Sequence, residues 1–310
     1  NFTAGSFALE SGTEIKNVNI AYHIFGELAP EKKVIWVCHA LTANSDAQDW
    51  WPNFIGENLT LDTEKYTIVC ANILGSCYGT SFQKQEKLPL ITIRDMVKLH
   101  QELAKFLQIS EIELLLGGSL GGMQCLEWAI AEPDFIKKLF VIATNAKHSA
   151  WGIAFNEAQR MALELGENGI DAARAIAMLS YRNYATFEAT QTDEEEKLEQ
   201  YRAASYQRYQ GEKLRKRFSK ESYFMLSKAM DSHHLGRGRN SVENALSQIT
   251  AETLVIGIDS DILFPVSEQK FIAEHIKNAK LEVISSLYGH DGFLIETEKI
   301  STLLKKHFNL

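Results

Sequence analysis

Residues 115–124 read Leu-Leu-Gly-Gly-Ser-Leu-Gly-Gly-Met-Gln, a glycine-rich stretch between an apolar run and a helical one. The run Glu113 to Leu116 is apolar enough for a buried strand, and Cys125 to Ala131 reads as a helix. Between them Gly117-Gly118-Ser119-Leu120-Gly121 matches G-x-S-x-G. A serine on a sharp strand-to-helix turn sits in strained backbone and presents its hydroxyl at the top of a sheet. Glycines are required because flanking side chains would collide in so tight a turn. The helix that begins there aims backbone N–H groups and a positive dipole end at developing negative charge. Ser119 is therefore the candidate nucleophile, against the plainer reading of an incidental serine in a Gly-rich corner.

A nucleophilic serine needs a base, and the base needs an orienting acid. Both follow in the order Ser, acid, His. The apolar strand Thr253 to Ile258 ends in Asp259-Ser260-Asp261, and the strand Leu281 to Ser285 precedes Gly289-His290-Asp291-Gly292. Of nine histidines, His290 alone lies late in the chain, after a strand, in a Gly-flanked loop. His100, His275 and His307 fall in polar helical stretches and are expected at the surface; His233-His234 lies in a polar turn and is undecided. Between Asp259 and Asp261 the pattern does not choose. Upstream, the strand Val34 to Cys38 runs into His39-Ala40-Leu41-Thr42. A loop there supplies one N–H of an oxyanion hole and the residue after the nucleophile supplies the other, which designates Leu41 and Leu120. His39 is expected to be structural.

Strands near Val34–Cys38, Thr67–Ala71, Glu113–Leu116, Leu139–Ala143, Leu254–Ile258 and Leu281–Ser285 alternate with helical stretches. That alternation predicts a mainly parallel, doubly wound α/β sheet with ligands beyond the strand C-termini. Phe7 to Phe25 carries two strand-like stretches around Ser11-Gly12, an antiparallel start. From about Asn145 to His234 the strand pattern stops. Helices are predicted over Ala158–Leu165, Ile170–Arg182, Glu195–Gln210 and Tyr223–Met230, with the acidic run Thr192 to Lys197 as a solvated helix start. The division is a core over 1–144 and 235–310 and an inserted helical lid over 145–234.

Composition narrows the class. A chain of 310 residues exceeds what one core comfortably serves, so a core plus an insert is expected. Its net charge of −8 argues against nucleic acid, and no apolar run approaches the roughly 18 residues of a membrane span. The sequence shows no signal peptide at Asn1. Cys38, Cys70, Cys77 and Cys125 form no metal-ligand spacing and read as reduced thiols of a cytoplasmic protein, with Cys77, in a loop, the reactive candidate.

Longer strings carry a resemblance. They include Cys38-His39-Ala40-Leu41-Thr42, Asn72 to Thr80, Thr92-Ile93-Arg94-Asp95-Met96, Gly117 to Gln124 with Leu126-Glu127-Trp128, and Ala146 to Asn156. Further on stand Ala229 to His233 with Gly236 to Arg239, Ser260 to Pro265, and Gly289 to Leu294. Over nearly its whole length the chain resembles the homoserine O-acetyltransferase family of α/β-hydrolase-fold enzymes, which act in methionine biosynthesis. The triad alone marks the superfamily; the Ala146–Asn156 and Gly75–Thr80 strings are far more specific. The resemblance places the acid on Asp261, leaving Asp259 a strand-end polar residue. It also implies that Arg174, in Gly169-Ile170-Asp171-Ala172-Ala173-Arg174, holds the substrate carboxylate, with Tyr181 near the same helix face and Arg182 as the rival cation. Asp291 is implied as the ammonium partner.

What the resemblance implies is a two-step acyl transfer from acetyl-CoA, through a Ser119 acyl-enzyme, to the hydroxyl of L-homoserine. Acetyl-CoA is then a co-substrate, with no metal or resident cofactor, and the protein a homodimer built through its lid helices. The alternatives are a succinyl-CoA donor, a serine acceptor, an esterase of the same fold, or a non-enzymatic binding protein, against which the intact triad argues. One departure from the family pattern is the shortened stretch Ser81-Phe82-Gln83-Lys84-Gln85 after Thr80, expected near the active-site rim.

Overall fold

Alternating apolar residues along the central strands divide the interior into two cores. On the strand Lys33–Cys38, Trp36 and Cys38 enter one buried cluster while Ile35 and Val37 enter the other. On Ile112–Gly118, Leu115 faces the first cluster, and Leu114 and Leu116 the second. A strand covered on both faces reads as a continuous apolar run because neither set of side chains meets water. The computed structural model describes residues 1–166 and 168–310.

We number the strands β1 (Phe2–Ala8), β2 (Glu14–Ile20), β3 (Tyr22–Phe25), β4 (Lys33–Cys38), β5 (Tyr66–Ala71), β6 (Ile112–Gly118), β7 (Ile136–Ile142), β8 (Glu252–Ile258) and β9 (Ala279–Ile284). The helices of eight or more residues are α1 (Ile93–Phe106), α2 (Leu120–Ala131), α3 (Ala150–Glu164), α4 (Gly169–Tyr181), α5 (Tyr184–Gln191), α6 (Arg202–Arg215), α7 (Lys220–Asp231), α8 (Val266–His275) and α9 (Thr297–Phe308). Seven strands form one sheet in the order β9-β8-β7-β6-β4-β5-β3, parallel except for β3, which runs antiparallel to β5. The predicted doubly wound, mainly parallel sheet is thus present. β1 and β2 form a separate antiparallel hairpin, closed by a turn in which Gly12 takes φ +85°. Capping fixes where helices begin. Thr92 accepts from the Asp95 N–H while the Asp95 carboxylate accepts from the Thr92 N–H, a reciprocal box that starts α1.

Between β7 and β8 the chain is helical, α3 through α7. Leu163, Ile170, Tyr223 and Leu226 from these helices join the same buried cluster as Trp36 and Leu115 of the sheet. Four expectations need correction. α3 begins at Ala150, not Ala158: Ser149 Oγ caps it by accepting from the Gly152 N–H. α6 begins at Arg202, not Glu195: Asp193 lies outside it and accepts from the Arg202 N–H, and it also pairs with Lys197 at 2.5 Å. An acid can serve a helix N-terminus from outside the helix, so the acidic run marked the neighbourhood of the start rather than its first turn. α5 was absent from the predicted elements; an Asn183–Thr186 capping box initiates it. His100 is fully buried, its ring packed beside Trp36 and Trp128, and burial drives its pKa down to about 3. It is a neutral core side chain on the inner face of α1.

Candidate active site

Ser119 takes φ +56°, ψ −126°, a conformation costly for any residue with a side chain. Close backbone packing holds it there. A Cβ on Gly121 would lie 2.1 Å from the Cys38 carbonyl oxygen, and one on Gly117 would lie 2.6 Å from the Gly121 backbone. The two glycines therefore let β6, α2 and the end of β4 meet at one point. The Ser119 N–H donates to the Ile142 carbonyl at 3.0 Å, and Thr144 Oγ1 donates to the Ser119 carbonyl at 2.8 Å. The turn is pinned from β7 while its side chain stays free to react.

The structure brings Ser119, His290 and Asp261 into one relay. His290 Nε2 lies 2.9 Å from Ser119 Oγ, and His290 Nδ1 lies 2.7 Å from Asp261 Oδ2. The other oxygen, Asp261 Oδ1, accepts from the N–H groups of Leu263 and Phe264 at 2.8 and 2.9 Å. The backbone of Ser-Asp-Ile-Leu-Phe-Pro thus aims the carboxylate at the imidazole. Asp259 is exposed and accepts instead from the Ser286 N–H at 3.2 Å. The His290 ring sits among Phe264, Phe293 and Tyr181, with centroids 5.1, 5.4 and 5.7 Å away. With Nδ1–H donating to Asp261, Nε2 is left to accept the serine proton.

The relay opens into a cavity of about 470 Å³ whose lining includes Leu41, Ser119, Arg174, Tyr181, His290 and Asp291. The Leu41 N–H donates to no group among the described residues, and Leu120, as the first residue of α2, has no acceptor within the helix for its N–H. Leu41 borders the cavity; Leu120, fully buried, does not line it. His39 holds the loop between them. Its Nδ1–H donates to the Ala40 carbonyl at 2.8 Å, its Nε2 accepts from Ile73 at 3.1 Å, and burial lowers its pKa to about 4. Gln124 ties the same loop to α2 by donating to the His39 and Leu120 carbonyls, each at 3.2 Å.

Arg174 and Tyr181 share one face of α4, with the guanidinium 5.2 Å from the ring centroid. Arg174 has no carboxylate partner among the described residues. Arg182, the rival cation, does not line the cavity; its Nε lies 2.9 Å from Asp291 Oδ2. Asp291 therefore faces the cavity already partly neutralised from behind. Sequence reasoning passed over Asp49, Trp50, Tyr78, Lys213 and Arg217, which also line the cavity. Only Tyr78 carried a signal, as a member of the Gly75–Thr80 string. The stretch Ser81 to Gln85 is not at the rim. Ser81 and Gln83 pair with Asn19 and Lys16 of β2, and no residue of the stretch lines the cavity. Among the described residues no cluster of three or more His, Cys, Asp or Glu side chains could hold a metal ion, and no helix is long and apolar enough to cross a membrane.

Comparison with known proteins agrees with this architecture. A family model described as the α/β-hydrolase fold matches residues 33–297. A homoserine O-acetyltransferase of Cyclobacterium marinum is 42% identical, over 98% of this chain and 93% of that protein. One of Trichormus variabilis is 40% identical, over 96% and 90%. Among solved structures, homoserine O-acetyltransferase from Staphylococcus aureus superposes with a TM-score of 0.87 at 29% identity, over 100% of this chain and 94% of that one. An acetylester hydrolase from Corynebacterium glutamicum gives 0.87 at 21% identity, over 100% and 95%, a likeness of fold alone.

Proposed function

The chain belongs to the homoserine O-acetyltransferase family of α/β-hydrolase-fold enzymes, and from that premise we propose that it moves an acetyl group from acetyl-CoA to the hydroxyl of L-homoserine through an acyl-enzyme on Ser119. One observation carries the reading: the Ser119–His290–Asp261 relay opens into a cavity that also presents Arg174, without a carboxylate partner among the described residues, and the carboxylate of Asp291. A hydrolase needs only the relay. Separate sites for a carboxylate and an ammonium suit a small zwitterionic acceptor.

In the first half-reaction His290 Nε2 takes the Ser119 proton as Oγ bonds to the thioester carbonyl carbon. Asp261 keeps Nδ1 protonated and stabilises the imidazolium. The oxyanion rests on the Leu41 and Leu120 N–H groups. The carbon–sulfur bond then breaks, and the CoA thiolate takes the proton from His290. In the second half-reaction Arg174 holds the homoserine carboxylate and Asp291 its ammonium. The hydroxyl gives its proton to His290 and attacks the acyl carbonyl, and Ser119 Oγ leaves with that proton. Water competes at roughly 55 M in bulk, so transfer depends on positioning and on a sheltered site. Ser119 and His290 are 6% and 3% exposed, which supports that shelter. A cytoplasmic homodimer packed through the lid helices belongs to the same reading; Met161 and Leu165 offer exposed apolar side chains at the end of α3.

The test is a thiol-release assay on purified protein, with acetyl-CoA or succinyl-CoA as donor and homoserine, serine or no acceptor, scored also by product mass. The proposal expects thiol release that depends on homoserine and a product with the mass of O-acetylhomoserine. Equal release without an acceptor would make the protein a thioesterase, and faster turnover of succinyl-CoA or of serine would move the donor or acceptor assignment.

A further inference from the structure

Four cations crowd the stretch Lys213 to Arg217, and the structure divides them into two pairs. Arg215 and Lys216 do not line the cavity, and each is held by an acid: Arg215 Nε lies 2.8 Å from Asp171 Oδ1, and Lys216 Nζ lies 2.7 Å from Glu212 Oε1. Lys213 and Arg217 do line it, at its exposed rim, and neither has a carboxylate partner among the described residues. Arg217 is nonetheless fixed. Its Nη1 donates to the Thr42 carbonyl at 2.6 Å and to Tyr78 Oη at 2.8 Å, while Nη2 and Nε donate to nothing among the described residues. Exposed Asp49 is the one other acid beside Asp291 in the lining.

A chain with net charge −8 that leaves two cations at one cavity rim without a carboxylate partner among the described residues is built to meet an anion there. The acceptor carboxylate falls to Arg174, beside the relay, so the rim pair is left for the donor. We propose that Lys213 and Arg217 form a phosphate subsite for the nucleotide end of the acyl-CoA donor, with the pantetheine arm running from the rim to Ser119. The proposal rests on the reading of the donor as an acyl-CoA. Arg217 offers a fork of free donors suited to phosphate, and Lys213 a mobile point charge.

The experiment compares acetyl-CoA with S-acetylpantetheine, which carries the thioester without phosphates, in wild type, Lys213→Ala, Lys213→Glu and Arg217→Gln. The expected wild-type result is a lower KM for acetyl-CoA, with the advantage shrinking as salt is added. Lys213→Ala should raise the acetyl-CoA KM about 2- to 5-fold and Lys213→Glu about 10-fold, with the S-acetylpantetheine KM moving less than about 2-fold. Arg217→Gln should narrow the same donor gap. Because it also releases Thr42, beside the oxyanion loop, its p-nitrophenyl acetate burst is measured in parallel, and only the donor ratio is read. Equal KM changes for both donors would overturn the subsite and leave Lys213 and Arg217 as groups of the rim's own fold. A dicarboxylic acyl group offers similar anionic chemistry. If Lys213→Glu instead abolished a wild-type preference for S-succinyl- over S-acetylpantetheine, the pair would serve the acyl end and the phosphate assignment would fall. A wild-type protein acylated by p-nitrophenyl acetate but by neither acetyl thioester would overturn the acyl-CoA reading itself, and the subsite with it.

Discussion

Asp261 and Asp259 stand two residues apart at the end of one strand, and their environments give them opposite prospects. Asp261 is 4% exposed, held by two backbone N–H groups and bonded to His290; Asp259 is exposed and bonded to the Ser286 backbone. Asp261→Asn should lower kcat on the order of 10⁴-fold by spoiling the imidazole tautomer, and Asp259→Asn should change it little. Steady-state rates of the two variants decide the matter; a larger loss in Asp259→Asn would reverse the assignment. At the acceptor end, Arg174→Ala should leave acylation of Ser119 near the wild-type rate but slow transfer to homoserine. Losing a charge-assisted bond costs about 1.5–3 kcal/mol, or roughly 10- to 150-fold. Asp291→Asn should cost more, because it strands Arg182 unneutralised beside the ammonium, and adding Arg182→Gln should recover part of the loss. Pre-steady-state thiol release separates the two half-reactions. If Arg174→Ala slows the burst instead, Arg174 serves the donor side. The serine and the Gly-flanked histidine were legible because their chemistry is tied to local motifs. The Arg182–Asp291 pair was not: neither sequence position announces the other, and only the approach of α4 to the loop after β9 joins them.

At the scale of elements, the strand–turn–helix corner is where sequence and structure constrain each other most tightly. Gly121→Ala would place a methyl 2.1 Å from the Cys38 carbonyl, backbone against backbone, with no flexible side chain to yield. It should destabilise the protein by about 3 kcal/mol or more and displace the oxyanion loop, lowering activity along with the urea midpoint. An alanine variant with wild-type midpoint and rate would show that the corner is looser than drawn. The strands were legible because burial on both faces makes them apolar throughout; the start of α3 was not, because its Ser149 cap lies eight residues before the predicted Ala158. The start of α6 was misplaced because Asp193 acts on it across a loop. Likewise, a lone histidine on a polar helix gives no sign of which face it takes. His100 takes the inner one, against Trp36 and Trp128.

Over the whole molecule, the buried histidines set the response to acid. Burial lowers the pKa of His39 and His148 to about 4 and of His100 and His233 to about 3. These groups are neutral when folded but take a proton near pH 6.5 when unfolded, so the unfolded state binds more protons below that pH. Stability should therefore fall as pH drops from about 6.5 towards 4, each histidine adding up to about 1.4 kcal/mol per pH unit. Urea unfolding across that range should show a steep acid branch; a flat profile would mean that these side chains reach water. Legibility at this scale was uneven. Fold class and the order of the relay lay open in the sequence, whereas the rim cations Lys213 and Arg217 did not, since a basic helix end looks the same whether it neutralises a dipole or meets a ligand. If Ser119 carries the acyl group between two substrates, intact-protein mass after brief mixing with acetyl-CoA, followed by a homoserine chase, should show one acetyl increment that maps to Ser119, is absent in Ser119→Ala and disappears on the chase into O-acetylhomoserine. A label on Cys77, or product formed at the wild-type rate by Ser119→Ala, would rule that role out.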